Sequence, residues 1–133
     1  MTIEDKLLYK IFVDTEITSD ELAILIASSI FGQVLRVGYT RSVTTSSIEI
    51  DVRRNDDYDE KKRYEFPNGF LYFRYYLEVY YKSEETTDLA TDVVASILNK
   101  LWSHNIPAIA SGDFTSELPH QGGYGSSLVP WVK

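Results

Sequence analysis

A chain of 133 residues, 44% apolar and 25% charged, has the apolar content to close one hydrophobic core, and its composition is not that of a disordered segment. It has no cysteine, which excludes disulfides, thiolate metal sites and thiol nucleophiles. A net charge of −7 argues against the phosphate-neutralising surface of a nucleic-acid binder and favours a basic protein partner. No apolar run approaches the ~20 residues that cross a bilayer, and Met1–Lys6 lacks the basic-then-apolar pattern of a secretory leader, so a cytoplasmic protein is expected, with no membrane or nucleic-acid partner.

From Leu7 to Thr15 the residues alternate, with Tyr9, Ile11 and Val13 on one side and Lys10 and Asp14 on the other, which predicts a half-buried strand. Thr18-Ser19-Asp20-Glu21 has the spacing of a capping box. Leu22, Leu25, Ile26 and Ile30 follow at helical spacing, and Gly32 supplies a left-handed stop. Val34–Thr40 and Ile48–Arg54 both read as extended. No Gly or Pro between Arg41 and Ser47 marks a turn, so one bent strand and two separate strands both remain open for residues 33–54.

Residues 55–69 form a charged connection that ends in Pro67-Asn68-Gly69, a turn signal. A long aromatic strand is predicted over Phe70–Lys82. Thr86 or Thr87 then caps a helix whose apolar positions run from Leu89 to Trp102, closed by Asn105 and Pro107. Ile106–Ala110 suits a short edge strand. Gly112, Gly122, Gly123, Gly125 and Pro130 predict a mostly irregular tail over 111–133, with Val129, Trp131 and Val132 able to dock on the core.

The resulting order, β-α-β-(β)-β-α-β, predicts a single α+β domain over 1–133. Its expected form is a two-layer sandwich of the ferredoxin-like split β-α-β type, with two helices on one face of a mainly antiparallel sheet of four or five strands. Right-handed crossovers place the first strand beside the aromatic one at the sheet centre.

Alternation along the aromatic strand puts Leu71, Phe73, Tyr75, Leu77, Val79 and Tyr81 under the helices. The opposite face then carries Tyr72, Arg74, Tyr76, Glu78 and Tyr80, with Phe12 and Arg36 as neighbours. Three uses of such a face compete: rings shielding an open sheet, a protein-binding or dimerising surface rich in Tyr and Arg, and a platform for stacking single-stranded bases. Acidic charge and the lack of an RNA-binding signature favour protein.

The adjoining segment 53–65 balances five basic against five acidic residues. Asp56, Asp57, Tyr58, Asp59 and Glu60 make it either a solvated tip or a recognition loop. Further acids cluster at Asp14, Glu16, Asp20 and Glu21, and at Glu84, Glu85 and Asp88, where helix dipoles favour them. If both helix starts lie on one side, they merge into one acidic patch.

No arrangement of residues points to catalysis. His104 suits a helix C-terminal cap. His120 with Asp113 and Glu117 has no metal-ligand spacing, and Gly122-Gly123-Tyr124-Gly125 lacks the P-loop lysine and reads as a flexible tail. Neither a cofactor nor a metal is expected.

In size, charge and predicted architecture the chain resembles the immunity proteins of bacterial contact-dependent inhibition and other polymorphic-toxin systems. The resemblance implies a cytoplasmic, non-catalytic protein that neutralises one toxin, often a cationic nuclease, by covering its active site or an adjacent surface. A ferredoxin-like small-molecule-binding protein or enzyme, and a structural homodimer formed through the sheet face, are the alternatives.

Overall fold

The computed structural model describes residues 6–38, 40–65, 68–81, 87–112 and 118–123. It has eight main elements: β1 (Lys6–Val13), α1 (Ser19–Ile30), β2 (Gln33–Val37), β3 (Thr40–Thr44), β4 (Ile48–Arg54), β5 (Tyr75–Tyr81), α2 (Thr87–Ser103) and β6 (Ala108–Gly112). The strands form one six-stranded sheet in the order β2-β3-β4-β5-β1-β6, with every neighbouring pair antiparallel.

The fold is therefore α+β, with six strands where four or five were expected. The difference lies in residues 33–54, which form three strands. Gly38 turns the chain between β2 and β3 at φ 59°. At the next corner the Thr45 hydroxyl replaces Gly or Pro, accepting the amides of Ser47 at 3.2 Å and Ile48 at 3.1 Å. As expected, β1 pairs with β5, but the added strands move the sheet centre to the β4–β5 pair.

One core holds the helices and one sheet face together. Leu22, Ala23 and Ile26 of α1 and Val94, Ile97, Leu98 and Leu101 of α2 pack with Ile11, Val13, Val43, Ile50, Leu77 and Val79. α1 begins as predicted: Thr18 accepts the Glu21 amide at 3.1 Å and the Glu21 carboxylate faces the Thr18 amide. At α2 the expected cap, Thr86, and the Thr87 side chain lie outside the described residues.

The stop at the end of α1 differs from the expectation. Phe31, not Gly32, takes the left-handed conformation, at φ 55° with its ring 98% exposed. A Cβ on Gly32 would sit 2.6 Å from Val43 Cγ1, so Gly32 is fixed by close approach to β3. A bulky side chain in that backbone region costs about 1 kcal/mol and Phe31 regains no packing. Phe31→Gly is therefore expected to raise unfolding stability by about 1 kcal/mol, read as a higher urea midpoint at constant m.

The aromatic strand is shorter than predicted. Gly69–Tyr72 forms a 3-10 turn and β5 starts only at Tyr75. Leu71 is exposed, and Phe73 packs with Phe12 and Ile109 on the face away from the helices, so neither lies under them as alternation implied. Tyr75, Leu77, Val79 and Tyr81 do.

After α2, Asn105 turns the chain at φ 59° into β6, the predicted edge strand. Leu118 is buried in the main core and Gly122 and Gly123 are buried in a 3-10 turn, so this part of the tail is packed rather than flexible. A Cβ on Gly123 would meet the Ala108 carbonyl oxygen at 2.2 Å. Val129, Trp131 and Val132 lie outside the described residues.

Candidate functional site

Residues 55–74 connect β4 to β5, and the described parts, 55–65 and 68–74, fold back over the sheet face that the helices leave open. Asn55 holds the connection closed. Its amide donates to the Arg74 carbonyl at 2.9 Å, and its Nδ2 donates to the carbonyls of Leu71 at 2.9 Å and Phe73 at 2.7 Å. Its Oδ1 accepts the Asp57 amide at 3.0 Å. The returning arm rests on a second, smaller apolar cluster: Phe12, Phe73 and Ile109 are buried, with Phe70 edge-on to Phe12 at 5.3 Å and Tyr76 beside it.

Between this arm and the sheet lies an open groove of about 500 Å³, lined by Lys10, Phe12, Asn55, Asp56, Asp57, Leu71, Tyr72 and Tyr76. Asp56 and Asp57 are exposed at its rim, and neither forms an ion pair with a described residue. The tyrosine rings already attract cations of the chain: Lys10 Nζ sits 4.5 Å from the Tyr76 centroid and Lys62 Nζ 5.3 Å from that of Tyr72. The groove thus offers anionic and aromatic surface side by side.

The other predicted site residues are distributed elsewhere. Glu78 and Tyr80 lie along the open sheet face in a polar cross-strand ladder, where Asp51 opposes Glu78 and Glu49 opposes Tyr80. Arg53 pairs with Glu78 and, at 3.4 Å, with Asp51, which also accepts from Ser42 at 2.8 Å. Burial and the nearby Glu78 carboxylate raise the Tyr80 phenol above its ordinary range. Arg74 and Tyr58 turn to the opposite flank of the connection, with the guanidinium stacked 4.3 Å from the ring centroid. The Asp59 carboxylate accepts the amides of Lys62 and Lys61, both at 2.9 Å, which lowers its pKa and ties it to the start of the Lys62–Tyr64 turn. Glu60 is exposed at the tip. Of the predicted set, then, only Tyr72, Tyr76, Asp56 and Asp57 converge.

The two helix starts, where acids were expected to merge into one patch, do not lie together. α1 follows β1 and α2 follows β5, and since these strands are antiparallel the helices begin at opposite ends of the sheet. Near α1, two of the acids are occupied by arginines. Asp20 takes Arg41 and, at 3.3 Å, Arg36, which lowers its pKa, and Asp14 takes Arg63. Arg36 therefore pairs with Asp20 rather than joining the open face. Glu84 and Glu85 are outside the described residues, as is the Asp88 side chain.

Among the described residues no group of three His, Asp or Glu side chains could hold a metal ion. Asp113 and Glu117 are not described, nor is the His120 side chain. His104 is exposed beyond α2. No described helix is long and apolar enough to cross a membrane.

Asn55, Lys10 and Leu71 complete the groove but were not singled out from the sequence. Asn55-Asp56-Asp57 after a strand is a side-chain-to-backbone turn signal that would have found the first. The other two depend on where the arm lands.

No family model matches the chain, and no curated protein or solved structure matches it significantly.

Proposed function

We propose that the protein is a non-catalytic protein-binding module: a cytoplasmic immunity-type protein that neutralises a basic toxin or nuclease through the groove between the 55–74 arm and the open sheet face. One observation carries this reading. Two exposed carboxylates without ion-pair partners among the described residues, Asp56 and Asp57, line the groove with Phe12, Tyr72 and Tyr76. A lysine or arginine of the partner would gain carboxylate attraction and ring-face contact together, replacing the chain's own Lys10 and Lys62. The architecture that presents the groove is read as a ferredoxin-like core. The order β6-β1-β5-β4, with a helix after β1 and another after β5, supports this reading, with β2 and β3 as an added hairpin.

The test is affinity for cationic proteins, any encoded beside this chain's gene first, measured at several salt concentrations. Binding is expected to weaken as salt rises. Asp56→Asn combined with Asp57→Asn is expected to raise Kd about tenfold and flatten the salt dependence, leaving the urea midpoint unchanged because both side chains face water. Equal affinity in the double variant would refute the groove as the contact. A second reading draws on the groove's concave, ring-lined form: a small cationic ligand in place of a protein side chain, which a thermal shift with cationic metabolites would register.

A further inference from the structure

All six arginines of this acidic chain lie at one end of the sheet, where α1 begins. Four have carboxylate partners: Arg36 and Arg41 share Asp20, Arg53 holds Asp51 and Glu78, and Arg63 holds Asp14. The remaining two, Arg54 and Arg74, make no ion pair with a described residue. They line the same hollow, of about 230 Å³, together with Glu16, Thr18, Ser19 and Tyr75. This hollow lies between the sheet end and the first turn of α1.

Two like charges facing one small concavity repel each other unless an anion lies between them. Glu16 lines the hollow, yet it is within ion-pair distance of neither guanidinium. Arg74 is also held in place. It is half-buried, stacks on Tyr58, and donates to the Tyr58 hydroxyl at 3.1 Å, so its remaining donors are oriented before any ligand arrives. Arg54 stands opposite Tyr75 in the ladder, and the Tyr75 hydroxyl is fixed by donating to the Ile17 carbonyl at 2.7 Å, which anchors the chain entering α1. Ser19 adds a hydroxyl with no hydrogen-bond partner among the described residues.

We propose that this hollow binds the oxyanion group, carboxylate or phosphate, of a small ligand between Arg54 and Arg74, with Ser19 as a third donor. Guanidinium forks match the planar oxygens of a carboxylate and the oxygen pairs of a phosphate equally well, so the shared chemistry is a multidentate oxyanion. The hollow shares no lining residue with the proposed protein-binding groove, although Ser19 and Arg54 line an intervening cavity with Asp56 and Tyr76, and the proposal does not depend on that groove.

The test is an NMR titration of the isotopically labelled full chain with inorganic phosphate and, separately, with succinate, at ionic strength held constant with chloride. Saturable shifts are expected at the Arg54 and Arg74 Nε resonances and at the Ser19 amide. A response to phosphate alone or to succinate alone identifies which group the site takes. Arg54→Gln, at an exposed position, should weaken binding about tenfold with an unchanged melting temperature. Glu16→Gln should tighten it severalfold by removing a repulsive charge, and Arg36→Gln should have no effect because that arginine already has Asp20. Arg74→Gln should abolish saturation; if it fails to fold, Arg54→Gln decides. The proposal is overturned if neither probe saturates, if chloride alone gives the same shifts, or if Arg54→Gln binds as the parent does.

Discussion

Phe73→Ala is expected to lower unfolding stability by about 3–4 kcal/mol and to abolish recognition through the groove. Phe73 is fully buried, and among the described residues it shares the small cluster beneath the 55–74 connection with buried Phe12 and Ile109. Removing the ring leaves a void that Phe70 and Tyr76 cannot fill without leaving the positions that shape the groove. Asn55 would still hold the Leu71 and Phe73 carbonyls, so the arm should loosen rather than detach. Amide exchange over 55–74 is then expected to accelerate far more than exchange in α1 and α2, while Phe73→Leu costs only about 1 kcal/mol. A loss below about 1 kcal/mol for Phe73→Ala would show that the arm does not lean on the sheet.

Where local chemistry decided the structure, the sequence was readable. The Thr18–Glu21 capping box, the α2 periodicity, the turn at Asn105 and the alternation of Ile48, Ile50 and Val52 each involve residues close in the chain, and each appears as read. Where long-range packing decided it, alternation misled. Phe70–Tyr72 has strand-like composition, yet the Asn55 side chain takes the Leu71 and Phe73 carbonyls that a ladder would have used. The backbone there bends into a 3-10 turn, and Phe73 flips to the face opposite the one predicted. The strand break at Thr45 was hidden because a hydroxyl supplied the turn in place of Gly or Pro. The groove was legible only in part. Its aromatic and acidic residues stood out as a cluster, but which of them converge depends on the arm's landing place, and the pairing of arginines with Asp14 and Asp20 spans separations that no local pattern encodes.

Arg63→Met is expected to destabilise the protein by about 3 kcal/mol at neutral pH, with much of the loss recovered in mild acid. The Asp14 side chain is 11% exposed, and among the described residues Arg63 is the one basic group paired with it. Burial already raises the Asp14 pKa above its ordinary value, even though Arg63, and more weakly Arg74, pull it down. Arg63 shows the opposite balance: burial lowers its pKa, but Asp14 and neighbouring phenols outweigh that, and the net shift is upward. The Asp14 direction is the more informative of the two, since a guanidinium stays charged at any pH at which the protein folds. It means the folded state holds a proton on Asp14 more tightly than the unfolded chain does. Between the ordinary and the raised pKa the folded form binds more protons, so this group's contribution to stability falls as pH rises through that window and is lowest above it. Without Arg63 the carboxylate loses its main counter-charge, its pKa rises further, and the window widens towards neutrality. Urea unfolding of Arg63→Met at pH 7 and at about pH 5 should show the deficit shrinking in acid, whereas a purely steric loss would be the same at both. The pair itself contributes little net stability, because the Arg63 Nε is buried with no acceptor among the described residues. Asp14→Leu combined with Arg63→Met is accordingly expected to restore most of the lost stability and to remove the acid dependence. A double variant as unstable as Arg63→Met alone would show that the ion pair, rather than its desolvation, dominates this corner of the fold.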